Sequence, residues 1–267
     1  MDLLAAAALG VVQGLTEFLP VSSSGHLILA RAFFGWDAGA FGVAFDVACH
    51  VGTFLAVALY FRRDVAAMVA ATPGAVALRE GGPERLVRLV AVGTLPIVAA
   101  GLLFSDWVEG PVRSPAVVAA MLALGGVGLV AAERLGRHAH DAGAIGYAGA
   151  LAIGVAQAAA LVPGVSRSGA TLTVALLLGV RREPAARFVF LLSLPAVLAA
   201  AGKAGLELAE AGGTVPAGLF AVGLVVSAGV GYLTIKYFLR YLASHTLTAF
   251  AVYRFALSGV TLAWLMG

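Results

Sequence analysis

Charge is scarce in this chain. Asp, Glu, Lys and Arg together make up 12% of its 267 residues, about half the share found in soluble domains. With 61% hydrophobic residues and a mean hydropathy of +0.99, the chain has too little polar surface to face water all round. A soluble enzyme is excluded and an integral membrane protein remains. Cysteine is nearly absent: the lone Cys49 rules out any disulfide within the chain. The period-2 alternation of a membrane barrel is missing as well. The formal net charge is only +3 and comes from loop Arg and Lys, which fits topology signalling and gives no reason to expect a nucleic-acid partner.

What the chain does have is apolar runs, at roughly 2–19, 40–61, 88–104, 114–133, 145–162, 170–180, 187–205, 216–235 and 246–266. Several reach the roughly 20 residues that a helix needs to cross a bilayer, so the expected fold is an all-α integral membrane bundle. The first run lacks a basic start and carries an acid, so it is expected to be retained and not removed as a secretion signal. The 34 glycines suit close helix contact, since packing is what draws helices together in lipid.

The chain also repeats itself. "GVVQGLTEFLPVSSSGHLILARAFFG" (10–35) aligns with "GVAQAAALVPGVSRSGATLTVALLLG" (154–179) at an offset of 144. Gly10, Val11, Gln13, Val21, Ser22, Ser24, Gly25 and Gly35 fall on Gly154, Val155, Gln157, Val165, Ser166, Ser168, Gly169 and Gly179. In each copy an apolar helix meets a proline and a serine-glycine turn, then a second apolar piece too short to cross. Hydrocarbon cannot satisfy the backbone groups such a break exposes, so both copies are expected to be re-entrant hairpins with tips at "PVSSSGH" and "PGVSRSG". Arginines cluster around Arg62, Arg63, Arg79, Arg85 and Arg88, at Arg134 and Arg137, and at Arg181, Arg182 and Arg187; Lys236 and Arg240 mark a fourth basic loop. Asp106 with Glu109, and Glu207 with Glu210, mark acidic loops. If basic loops are cytoplasmic, the order is an outer hairpin, three spans, an inner hairpin and three more spans. That makes one polytopic membrane domain, 1–267, with six transmembrane helices, two re-entrant hairpins and inverted halves of about 1–133 and 145–267. Working sites in this plan lie near the midplane, where broken helices meet.

Glu17 is the sharpest residue. A carboxylate at membrane depth costs about 2.5–3.5 kcal/mol, so it either serves a cavity or pairs with an arginine such as Arg167 for packing. Gln13, four residues earlier, shares its helical face. Together they offer oxygen ligands for a hard cation, Mg²⁺ or Ca²⁺, that would need further ligands from a substrate phosphate. Ser22, Ser23, Ser24 and Gly25 stand at the start of a half-helix, where N–H groups and hydroxyls accept phosphate, or where serines simply cap. Ser23 and His26 suit a nucleophile with its base; His26 could itself attack phosphorus, or be a hydrogen-bonded core group. The second tip adds Arg167 between Ser166 and Ser168, with Gly169 following: a bidentate fork for phosphate oxygens. Asp46 and His50 form an i, i+4 pair that either lines the same cavity or belongs to the helix end and core. Arg254 is either a second phosphate clamp or a countercharge. Acid, hydroxyl, imidazole and guanidinium gathered at two opposed tips suit a phosphate ester.

At these residues the sequence resembles the undecaprenyl-diphosphate phosphatase family, the bacitracin-resistance proteins of bacteria. "QGLTEFLPVSSSGH" fits the family's first motif and "PGVSRSGAT" its second, and the similarity extends through "FLLSLPAV" (190–197) and "FAVYRF" (250–255). The resemblance implies a metal-dependent enzyme of the bacterial inner membrane that removes the terminal phosphate from a C55 isoprenoid diphosphate. The product is the monophosphate carrier of peptidoglycan synthesis, and the site is expected to open outward. Carried over, Glu17 is the essential acid, Ser23 the proposed nucleophile, His26 its partner or rival, and Arg167 the diphosphate clamp. Gln13 takes the motif's variable first place, where relatives with Glu have a charge this chain lacks. Lipid substrate and bilayer are the implied partners, with a homodimer as a further expectation. The rival class is a lipid or ion transporter, because opposed broken helices also build transporters; a nucleophile such as Ser23 favours chemistry.

Overall fold

A computed structural model of the chain describes residues 2–36, 42–104, 107, 108, 110, 112–210 and 217–267. Asp106 and Glu109 of the expected acidic loop lie outside the described residues. Among these residues there are eleven α-helices, one 3-10 turn and no strand beyond an isolated bridge from His140 to Val180. The helices are α1 (Asp2–Thr16), α2 (Ser23–Phe34), α3 (Val43–Tyr60), α4 (Arg62–Val76), α5 (Gly82–Leu103), α6 (Pro115–Leu135), α7 (Tyr147–Ala159), α8 (Arg167–Leu177), α9 (Arg182–Glu210), α10 (Ala217–Leu242) and α11 (Thr248–Met266).

Five of them, α5, α6, the Arg182–Lys203 part of α9, α10 and α11, are long and apolar enough to cross a membrane. Their outward surfaces keep large apolar side chains exposed, Leu103 at 75% and Val225 at 65% among them. Water penalises such a surface and lipid tails do not, so the molecule is a multi-pass membrane protein. The four helices around the two motifs, α1, α2, α7 and α8, have only 11–15 residues. At 1.5 Å per residue they reach about 16–23 Å, short of the roughly 30 Å hydrocarbon core.

One helix was not expected. Residues 62–76, read from the sequence as part of a basic loop, form α4, set off from α3 only by Phe61. Its mean hydropathy is low, so it does not read as a span. Its alanines still favour helix, and its one proline, Pro73, falls near its C-terminal end, where the helix is ending anyway.

Packing sets the short helices against the long ones. α10 lies along α1 and α3, and α5 lies along α7 and α9 in the same manner; α3 also packs on α9, and α6 on α11. Small residues permit this approach. A Cβ on Gly14 would stand 2.8 Å from Val230 Cβ and 2.9 Å from Ser227 O of α10, and Gly154 of α7 abuts the backbone of Gly93 in α5 with no room for a side chain. Directly after Glu17, Phe18 enters the largest core cluster, edge-on to Phe190 at 5.3 Å, which fixes the first tip to α9.

Candidate active site

Both tips are built alike. α1 ends with Glu17 N–H donating to Gln13 O at 2.9 Å, and the chain then turns through Phe18, Leu19 and Pro20, a residue that cannot continue the ladder. Ser22 follows in the left-handed region, φ 74°, and caps α2 by accepting from Gly25 N at 3.3 Å. The second tip passes through Pro163 and Gly164, whose φ is 99°. Ser166, again at φ 74°, caps α8 by accepting from Gly169 N at 3.1 Å. A serine with positive φ is strained by about 1–3 kcal/mol, and two such residues 144 apart are held by what surrounds them.

The surroundings are each other. Ser22 Oγ accepts from Gly164 N at 3.0 Å, and Ser168 Oγ donates to Leu19 O at 2.9 Å. Arg254 of α11, with 0% exposure, completes the joint. Its Nη1 donates to Pro20 O at 3.1 Å and its Nη2 to Gly164 O, Val165 O and Met121 O at 2.9, 3.1 and 2.9 Å, while Nε donates to Leu122 O at 3.0 Å. The guanidinium thus faces the carbonyls of both tips and of α6.

Glu17 sits where the tips meet, with its side chain 4% exposed. Oε1 is ion-paired with Arg167 from the opposite tip. Oε2 accepts from Ser23 Oγ at 2.6 Å and from Gln13 Nε2 at 2.7 Å, and lies 3.3 Å from His50 Nδ1. Gln13 Nε2 also stands 2.9 Å from His50 Nδ1. These groups open onto a cavity of about 330 Å³. One wall is polar: Glu17, Ser22, Ser23, Ser24, His50, Ser166 and Arg167. Another is apolar: Ile97, Val98, Gly101 and Leu102 of α5 face Ala196, Val197, Ala199 and Ala200 of α9.

Of the residues singled out from sequence, Glu17, Ser22, Ser23, Ser24, Ser166 and Arg167 line this cavity together. Gln13, Gly25, His26, Ser168, Gly169 and Arg254 are not among its lining residues. His26 turns away from Ser23: Nδ1 donates to Ser22 O at 2.7 Å, and Nε2 accepts from Tyr253 OH at 2.7 Å, the rings stacking at 5.6 Å. His50, weighed only as a possible cavity group, stands at the acid itself. Arg113 and Lys203 were not singled out and also line the cavity. Lys203, a lone cation in an alanine-rich run, left a readable signal; Arg113, in a loop beside a proline, left none.

Similarity to known proteins covers nearly the whole chain. The sequence profile of the family described as bacitracin resistance protein BacA matches residues 6–260. An undecaprenyl-diphosphatase of Rubrobacter xylanophilus is 50% identical, the alignment covering 100% of this chain and 99% of that one. Undecaprenyl-diphosphatases of Alcanivorax borkumensis (46%; 99% and 100% covered) and Trichlorobacter lovleyi (44%; 100% and 98% covered) are similar over the same extent.

Proposed function

The chain belongs to the bacitracin resistance protein BacA family, and from that premise we propose that it is a membrane phosphatase. It hydrolyses undecaprenyl diphosphate to undecaprenyl phosphate and inorganic phosphate, which recycles the lipid carrier and supports bacitracin resistance. The observation that carries this reading is the 2.6 Å hydrogen bond from Ser23 Oγ to Glu17 Oε2, made at the floor of a cavity that Arg167 reaches from the other tip. A hydroxyl on a carboxylate beside a guanidinium is a nucleophile with its base and a phosphate clamp.

In the mechanism, the terminal phosphate takes Arg167 away from Glu17 and lies against the first N–H groups of α2. Ser23 Oγ attacks the terminal phosphorus as its proton passes to Glu17. The bond from phosphorus to the bridging oxygen breaks, and undecaprenyl phosphate leaves. Glu17 passes its proton to the departing lipid phosphate and is again a carboxylate. It then accepts a proton from water, whose oxygen attacks the phosphoserine, and returns that proton to Ser23 Oγ as the bond from phosphorus to Oγ breaks and inorganic phosphate departs. The apolar wall between α5 and α9 receives the first isoprene units, and the rest of the chain stays in lipid. His26, stacked on Tyr253, holds the carbonyl of Ser22 and so positions the cap of α2.

A divalent cation, Mg²⁺ or Ca²⁺, fits only in company with substrate. Glu17 is the one carboxylate among the described lining residues, and no group of three His, Cys, Asp or Glu side chains gathers among the described residues to hold a metal. Gln13 turns its amide nitrogen to Glu17 and leaves Oε1 buried without a partner; rotating that amide would present the oxygen instead. Glu17, with Gln13 behind it, would hold the ion against the diphosphate, where it would neutralise charge.

The finer topology is part of the same reading. The spans are α3, α5, α6, α9, α10 and α11, the re-entrant hairpins are α1/α2 and α7/α8, and α4 is an addition to the first half. Supporting this are the 144-residue offset, the paired cap geometry, and the matching arrangement in which α1 and α3 share the neighbour α10 as α7 and α9 share α5. The cavity lining reaches Val108 and Arg113, in the loop read as outer, which favours an opening to the periplasmic face. Phosphate release from undecaprenyl diphosphate by the purified protein, compared with lipid flipping in vesicles, tests the function. Release that is lost in Ser23→Ala and in Glu17→Gln is expected. Flipping without release would replace the phosphatase by a carrier.

A further inference from the structure

Above the acid, a second charged cluster faces the same cavity. Asp46, in the first turn of α3, is gripped by both terminal nitrogens of Arg31 from α2, with Nη1 donating to Oδ2 at 3.1 Å. Arg113, just before α6, donates from Nη2 to the same Oδ2 at 3.0 Å. Asp46 is 9% exposed at its side chain and Arg31 11%, whereas Arg113 is 22% exposed and lines the cavity. Among the described residues two guanidinium groups share this one carboxylate, which leaves the cluster with an excess positive charge. Both terminal nitrogens of Arg31 are spent on Asp46, so Arg31 is committed to holding it.

The cluster's height is set by α3. Asp46 and His50 lie one turn apart on one helical face, a rise of about 6 Å. His50 stands at Glu17 and Asp46 holds Arg113, so the cavity carries two cationic levels: Arg167 deep, and Arg113 one turn shallower. Two phosphoryl groups joined through one bridging oxygen match that arrangement.

We propose that Arg113 is the clamp for the proximal phosphate, the one that stays on the lipid. Asp46 and Arg31 are positioning residues that aim it, so the cluster makes the site select diphosphates over monophosphates. This rests on the phosphatase reading, because it assigns the terminal phosphate to Arg167. A guanidinium has five N–H donors in a fixed plane, and anchoring one nitrogen on Asp46 fixes the direction of the others. The same contact holds the monophosphate product until it slips laterally into lipid.

The test compares wild type with Arg113→Gln, Arg113→Lys and Asp46→Asn. It measures kcat and KM for undecaprenyl diphosphate, and competitive inhibition by methylenebisphosphonate and by inorganic phosphate. Losing one charge-assisted contact is expected to raise KM and the bisphosphonate inhibition constant about 10–100-fold in Arg113→Gln. The change in kcat should be much smaller, and the phosphate inhibition constant should stay within about twofold, as expected for a monophosphate that never reaches the contact. Arg113→Lys should recover part of the loss, and Asp46→Asn should show the same selective pattern more weakly. Equal weakening of both inhibitors, or an unchanged KM in Arg113→Gln, overturns the clamp. A wild-type protein that releases no phosphate from the lipid overturns the phosphatase reading instead, so the two failures are told apart.

Discussion

Replacing Arg254 with methionine keeps most of the side chain's volume and removes all five bonds by which this guanidinium ties the two tips to each other and to α6. Five carbonyl oxygens, those of Pro20, Met121, Leu122, Gly164 and Val165, lose their contact. An unsatisfied buried acceptor costs about 1–3 kcal/mol, so a simple sum, about 5–15 kcal/mol, would equal the whole stability of a typical domain. Two effects reduce it: the desolvated charge disappears, and the tips relax towards one another. The expected loss is therefore about 3–5 kcal/mol, that of breaking a buried charged network. At about 2–4 °C per kcal/mol, the midpoint of thermal unfolding falls by about 6–20 °C. The chain supplies its own reporter, since Cys49 is the only thiol and has 0% exposure; a thiol-reactive dye in detergent reads the transition as Cys49 becomes accessible. Arg254→Lys keeps the charge but not the planar fork, and should recover less than half of the loss. A methionine variant melting within about 2 °C of the parent, a loss under 1 kcal/mol, refutes the reasoning. So does one that melts normally but has no turnover, which would put the guanidinium on substrate.

Arg167→Ala should lower the rate of phosphate release by about 10²–10³-fold or more, as expected for a lost donor to developing charge; it should also lower the melting midpoint, because the buried Glu17 loses its countercharge, while the serine caps and Arg254 keep the chain folded. Full activity in that variant removes the clamp from the mechanism. Trapping the phosphoenzyme with labelled substrate should give an acid-stable phosphoserine in wild type and none in Ser23→Ala, whose rate falls by about 10³-fold or more; an acid-labile phosphohistidine at His26 would reverse the assignment. Chelation should stop turnover and added Mg²⁺ or Ca²⁺ should restore it, with Glu17→Gln failing to respond. Undiminished release in excess chelator would eliminate the cation.

Much of this site could be read from the residues because its signals are local. A carboxylate at Glu17, serines beside glycine and prolines inside apolar runs are each costly in lipid, so each marks a break or a cavity. The offset of 144 also made the meeting of Glu17 with Arg167 foreseeable. What could not be read was orientation. The i, i+3 spacing of Ser23 and His26 suggested a dyad, but both ring nitrogens are engaged elsewhere, by Ser22 O and Tyr253 OH. Tyr253 is 227 positions away and its hydroxyl leaves no trace in the first motif. Arg254 stood open between clamp and countercharge because a sequence shows that a charge is present, not which carbonyls surround it. Arg113 and Arg31 became visible only when three distant segments converged on Asp46. α4 gives no span signal because it is too polar to cross a membrane, although its alanines carry helical propensity.

The joint closed by Arg254 also sets an order of biogenesis. Pro20 is synthesised before Gly164, and both before α11, whose guanidinium bonds to the two of them. A nascent chain halted before α11 would carry Glu17, Ser23 and Arg167 and still lack the guanidinium that bonds to both elbows.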